Sequence, residues 1–209
     1  QLKLKGIQEA MRQCGADGCL LSGGINLFYV TGVMYNGYFY LGVEGNPCFF
    51  VKRPNGLSGE QLCYIHKPEQ IPDYFAQHDI QMPRKLMLEA DELTYSDYMR
   101  LLKVFQPEET VNATAVLRTI RRVKTPREIE QTLLCAERHK EVYSIVPTLY
   151  KPGMTDLDFQ FEIERVMRQH GSIGLFRAFG ANMDIFMGSL LAGENAETPS
   201  PFDFALGGA

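Results

Sequence analysis

Apolar residues recur at helical spacing at the start of the chain: Leu2, Ile7, Ala10, Met11 and Cys14 share one face of a predicted helix, which Gly15 closes. Short apolar runs follow, and they read as strands at 19–21, 38–43, 48–51, 63–65 and 85–88. Glu44-Gly45-Asn46-Pro47 separates the second and third of these as a hairpin-type turn. Residues 69–78 and 95–105 carry helical spacing between the later runs, so helices and strands interleave. This alternation predicts an α/β domain with a mixed sheet and helices on its faces. Gly23-Gly24 follows the first strand, and a turn into a helix with positive φ is expected there.

A second regime begins near Arg121. Thr125-Pro126-Arg127-Glu128 has the form of a capping box with proline at the first helical position, because the threonine hydroxyl and the glutamate carboxylate can each accept an otherwise orphaned N–H. A helix from 126 to the high 140s is predicted, with Ile129, Leu133, Ala136, Tyr143 and Val146 as its apolar stripe and Pro147 bending or ending it. A second N-terminus is predicted at Thr155, with Asp156 and Asp158 in the dipole-favoured first turn. Phe159, Ile163, Val166, Met167 and His170 form the inner face of that helix, and Gly171 ends it. Residues 175–179 and 185–191 read as strands.

Composition narrows the function classes. The 209 residues carry a net charge of −4, which lacks the basic footprint of phosphate-backbone binding, so nucleic acid is excluded as a partner. No apolar run reaches the ~18 residues of a membrane span, so no membrane association is expected. The five cysteines include no CxxC pair and read as buried, reduced thiols, with a Cys14–Cys19 disulfide as the alternative; cytoplasmic localisation is the expectation. His66, His78, His139 and His170 share no metal-ligand spacing, and Asp184, Glu194, Glu197 and Asp203 fit no dense cage. Gly23-Gly24 is followed by neither GxGxxG nor GK[ST], and Ser22, Ser189 and Ser200 lack a GxSxG elbow. The aromatics Phe28, Tyr29, Tyr35, Tyr38, Phe39 and Tyr40 suit core packing or a ligand or partner surface.

Three segments carry a resemblance. Residues 17–32, Asp-Gly-Cys-Leu-Leu-Ser-Gly-Gly-Ile-Asn-Leu-Phe-Tyr-Val-Thr-Gly, are similar to the segment that follows the first helix in the creatinase, prolidase and aminopeptidase P superfamily of pita-bread metallopeptidases. Val123-Lys124-Thr125-Pro126-Arg127-Glu128-Ile129-Glu130, with Ala136 beyond it, resembles the family's entry into its catalytic domain. Lys151-Pro152-Gly153-Met154-Thr155-Asp156 resembles its "rpGmtE" turn, with Asp in place of Glu.

The resemblance implies a ribonuclease H-like N-terminal domain at 1–122 and the first part of an α+β pita-bread domain at 123–209. It implies a homodimer whose catalytic domain binds two divalent metal ions, manganese above all, through two Asp, one His and two Glu. A metal-held hydroxide would attack the peptide bond next to proline in small proline-containing peptides. The ligand motifs are expected beyond Ala209. Gln1 in place of Met and the apolar, Gly-rich end fit a fragment, and the fragment is expected to bind no metal and to be inactive. Arg177 and Ser189 are the candidates for groups beside the substrate; no histidine follows His170, and Ser189 is the nearest match to the family's active-site histidine. The alternatives are a non-catalytic relative serving as a binding or dimerisation module, and a creatinase-type C–N hydrolase.

Overall fold

The structure is a computed structural model that describes residues 2–177, 184–186 and 189–198, with 176–177 and 184–186 described by their backbone alone. The chain divides into two compact units, Gln1–Val123 and Lys124–Ala209.

In the first unit, helix α1 (Leu2–Cys14) leads through Gly15 into strand β1 (Gly18–Leu21), and helix α2 (Gly24–Thr31) follows. Strands β2 (Asn36–Gly42) and β3 (Pro47–Arg53) form the expected hairpin, and β4 (Leu62–Tyr64) pairs parallel to β3. A 3₁₀ turn at Pro68–Gln70 enters helix α3 (Ile71–Gln77); strand β5 (Lys85–Leu88) and helix α4 (Tyr95–Phe105) come next. Strand β6 (Glu109–Asn112) and helix α5 (Thr114–Arg122) complete the unit. The six-stranded mixed sheet has the order β4-β3-β2-β1-β5-β6, with β1 antiparallel to β2 and parallel to β5.

Both faces of this sheet are covered, which is why its strands read as unbroken apolar runs. Alternation sends Cys19, Leu21, Phe39, Leu41 and Met87 to the side of α1, α2 and α5, where Ile7, Met11, Leu27 and Leu117 meet them. Leu20, Tyr38, Tyr40, Phe50, Leu86 and Leu88 point the other way, against Ile71 and Phe75 of α3 and Leu101 and Phe105 of α4. Gly6 marks the close approach of α5: a Cβ there would lie 3.3 Å from Cγ2 of Ile120, a tight contact. Of the aromatic cluster near the hairpin, Tyr35, Tyr38, Phe39 and Tyr40 are core residues, while Phe28 is half exposed.

In the second unit, helix α6 (Pro126–Leu149) starts at the predicted box: the Glu128 N–H donates to Thr125 Oγ1 at 3.3 Å, and the Glu128 carboxylate accepts from the Thr125 N–H at 2.8 Å. Helix α7 (Asp156–Gln169) starts the same way at Thr155 with Asp158, and ends before Gly171 at φ +95°. Strands β7 (Leu175–Arg177) and β8 (Asp184–Phe186) pair antiparallel, and helix α8 (Glu194–Glu197) follows.

Several expectations are corrected. Gly23 has φ −65°, ordinary extended backbone, so the turn into α2 needs no positive φ. Pro147 lies inside α6 and does not end it. Ser189 and Leu190 lie outside any strand, so the expected strand at 185–191 is confined to β8 among the described residues. Leu2 is solvent-facing, and Cys135 is exposed where a buried thiol was expected. The stripe of α6 is also uncovered: Ile129, Leu133 and Tyr143 are 50, 62 and 68% exposed. Val142 and Val166 are the buried hydrophobic residues described in this unit. The periodicity was real, but no described neighbour covers that face.

Candidate functional site

The region singled out by sequence lies in the second unit. There α6, α7 and the segment around β7 line an open cleft of about 880 Å³ with Leu134, Val142, Ile163 and Met167 among its walls. Ser189 sits at its edge, exposed. The neighbouring Leu190 N–H donates to Oε1 of Gln160 at 2.8 Å, while Gln160 Nε2 donates to Glu164 at 2.8 Å, so α7 holds the 189–190 segment. Arg177 pairs through its backbone with Asp184, and its side chain lies outside the described residues, as do Asp203 and Ser200.

Two histidines from different helices, His139 and His170, reach this cavity, together with Arg138 and Glu164. His170 Nδ1 donates to the Val166 carbonyl at 2.9 Å, which fixes the ring along its own helix and leaves Nε2 as the nitrogen able to accept. Among the described residues no group of three or more His, Cys, Asp or Glu side chains could hold a metal ion, so this donor set does not match the metal pair that the resemblance implies. Glu194 and Glu197 are exposed on α8. The cavity is an apolar cleft with scattered polar groups; Ser189 and two imidazoles share its lining, but no nucleophile and base pair is formed in the described geometry.

The most organised polar site is elsewhere, and sequence reasoning missed its centre. At the carboxyl ends of the parallel strands β1 and β5, Glu89 is 1% exposed. Its Oε2 accepts from the Ser22 N–H at 2.6 Å and the Gly23 N–H at 2.9 Å, and its Oε1 accepts from Asn26 Nδ2 at 2.5 Å. Arg121 of α5 donates to Asn26 Oδ1 at 3.1 Å. Glu92 lies beside this group, and burial, followed by the negative charge of Glu89, raises its carboxyl above the usual carboxylate range, against the opposing pull of Arg118 and Arg121. Gly23 leaves this carboxylate its place: a Cβ there would lie 2.8 Å from Glu89 Oε1 and force it to shift. The available signal was the first acid of the run Glu89-Ala90-Asp91-Glu92, directly after the apolar run 85–88 and at the position whose alternation turns it inward.

Other polar and thiol groups of the first unit have structural roles. Arg100 grips Glu69 at 2.7 and 2.8 Å, and that bidentate bond holds the Glu69 carboxyl down to about 2. Burial pushes the Cys48 thiol up to about 11 and the Cys19 thiol higher still, so neither is a ready thiolate nucleophile. Among the described residues no helix is long and apolar enough to cross a membrane.

Comparison with known proteins agrees with this architecture. The chain is 23% identical over 210 residues to an uncharacterized peptidase of Staphylococcus saprophyticus, covering 95% of this chain and 56% of the relative. It is 23% identical over 221 residues to the ectoine hydrolase of Halomonas elongata, covering 92% of this chain and 55% of that protein. The chain thus spans about half the length of these curated relatives. The Xaa-Pro dipeptidase from Bacillus anthracis superposes with a TM-score of 0.67 at 19% identity, covering 82% of this chain and 49% of that one, a likeness of fold. Residues 3–123, essentially the whole first unit, match the Creatinase/Prolidase N-terminal domain, and the chain belongs to that family.

Proposed function

We propose that this chain serves in a metal-dependent exopeptidase of the Xaa-Pro dipeptidase or aminopeptidase P type. In this reading residues 1–122 are the N-terminal domain and 123–209 open the pita-bread domain. The working enzyme is a cytoplasmic homodimer that cleaves small peptides beside proline with two divalent ions, manganese foremost. The carrying observation is that likeness to a Xaa-Pro dipeptidase covers 82% of the chain, and so runs past the matched domain into the second unit. In this reading, as the resemblance implies, the metal ligands belong to polypeptide outside this chain, and no catalytic step is assigned to the residues described. Arg177 and Ser189 are retained as groups beside the substrate. The 209-residue chain is inactive by itself.

The test compares this chain with the longest natural form of the protein on Xaa-Pro dipeptides and Xaa-Pro-initiated oligopeptides in manganese. Hydrolysis by the long form alone supports the proposal. A long form that carries all five ligands and cleaves no proline peptide overturns it, and a long form missing two or more of them points to a binding or dimerisation module. A second reading has one observation in its favour: the ectoine hydrolase matches this chain at the same 23% identity as the peptidase relative. Turnover of ectoine or creatine in place of peptides by the long form would select a C–N hydrolase.

A further inference from the structure

In open α/β sheets, ligands collect beyond the carboxyl ends of parallel strands, at the point where neighbouring connections run in opposite directions along the sheet. In the first unit that point is the end of β1, whose neighbours are β2 on one side and β5 on the other. Backbone N–H groups gather there at the start of α2, where Gly23 supplies no side-chain cap. Asn26 Nδ2, itself buried, aims at the same spot, with its orientation set by Arg121. These three donors form a cradle for a carboxylate, and the carboxylate that fills it belongs to the chain, carried by Glu89 from more than sixty residues away.

We infer that Glu89 is an internal ligand: the β1–α2 junction is a built carboxylate-binding cradle, closed in the native protein by its own side chain, and emptied of that side chain it takes a small free monocarboxylate such as formate or acetate. The inference is independent of the reaction proposed above. Charge matters as much as shape. A carboxylate can accept all three donors at once, whereas a carboxamide of the same outline turns an NH₂ toward at least one donor. Asp91 and Glu92 of the loop after β5 and Arg118 and Arg121 of α5 supply charges of both signs around Glu89, so the cradle lies in a mixed field and not in a purely basic patch. Gly23 completes the design, because any larger residue there occupies the space of Glu89 Oε1.

The experiment uses the full 209-residue chain as wild type, Glu89→Ala and Glu89→Gln, melted in sodium formate, sodium acetate or sodium chloride at equal ionic strength. Glu89→Ala is expected to melt lower than wild type and to recover by several degrees in formate, less in bulkier acetate and not in chloride. Wild type and Glu89→Gln, whose cradles are filled, show no formate-specific recovery. Equal melting of Glu89→Ala and wild type, or equal effects of formate and chloride on Glu89→Ala, overturns the inference. Should Glu89→Ala not fold in chloride, folding in formate decides: recovery of the folded chain in formate and not in chloride supports it, and failure to fold in either overturns it.

Discussion

The two units of this chain use the same kind of local signal and end with different interiors. In the first, every apolar face that the pattern predicts meets another: β1 alone sends Cys19 and Leu21 to one layer and Leu20 to the other, and helices cover both. In the second, α6 and α7 are capped as well as any helices in the chain, yet Ile129, Leu133 and Tyr143 face outward. Amphipathic periodicity and good caps therefore specify a helix without guaranteeing a partner for it. Tertiary burial converts a stripe into stability, because helix propensity and capping contribute far less than packing of the apolar face.

Truncating a residue in each unit breaks or sharpens that contrast most directly. Phe39→Ala removes a fully buried ring from the first core and is expected to lower the stability of that unit by about 3–5 kcal/mol in urea titration. Leu133→Ala, on the uncovered face of α6, should stay within about 0.5 kcal/mol. A Leu133→Ala cost near that of Phe39→Ala would mean that a second surface covers the α6 stripe in solution. The caps come next in size. Thr125→Ala and Thr155→Ala each remove a side-chain acceptor from a helix start and should cost about 1 kcal/mol, seen as faster amide exchange in the first turns of α6 and α7.

The smallest effect belongs to the exposed pair Arg100–Glu69. The folded carboxyl sits at about 2, below its ordinary value of 4.5, so the folded chain binds fewer protons than the unfolded one as pH falls. Its contribution is present above pH 4.5 and is lost between 4.5 and about 2. Solvent screening keeps it small. A pH series should show wild type and Glu69→Gln diverging near neutrality and converging at the acid end, and a constant gap would remove the pair from the account.

Much of the fold was legible residue by residue. The helix at 95–105 and the strand at 85–88 appear at the predicted positions, and Thr125-Pro126-Arg127-Glu128 opens α6 as its pattern demands. Strand β6 was not legible: Glu109-Thr110-Val111-Asn112 is a short, polar edge strand, the composition that protects an edge from pairing and also hides it from a search for apolar runs. The candidate site was less legible still. Arg177 and Ser189 came from resemblance, whereas the Glu89 cradle needs residues from β1, α2, the end of β5 and α5 at once.

By itself, the sequence determined most of the elements, the caps of α6 and α7 and the change of pattern near Arg121, since each depends on side chains within about four positions of one another. Tertiary structure alone decided the strand order, the exposure of the α6 stripe and the reason for Gly23. A Cβ at that position would push the Glu89 carboxylate, set beside it by the parallel pairing of β1 and β5, out of its hydrogen bonds. Contacts of that kind are set by which surfaces the fold brings together, and no local pattern encodes the distance between them.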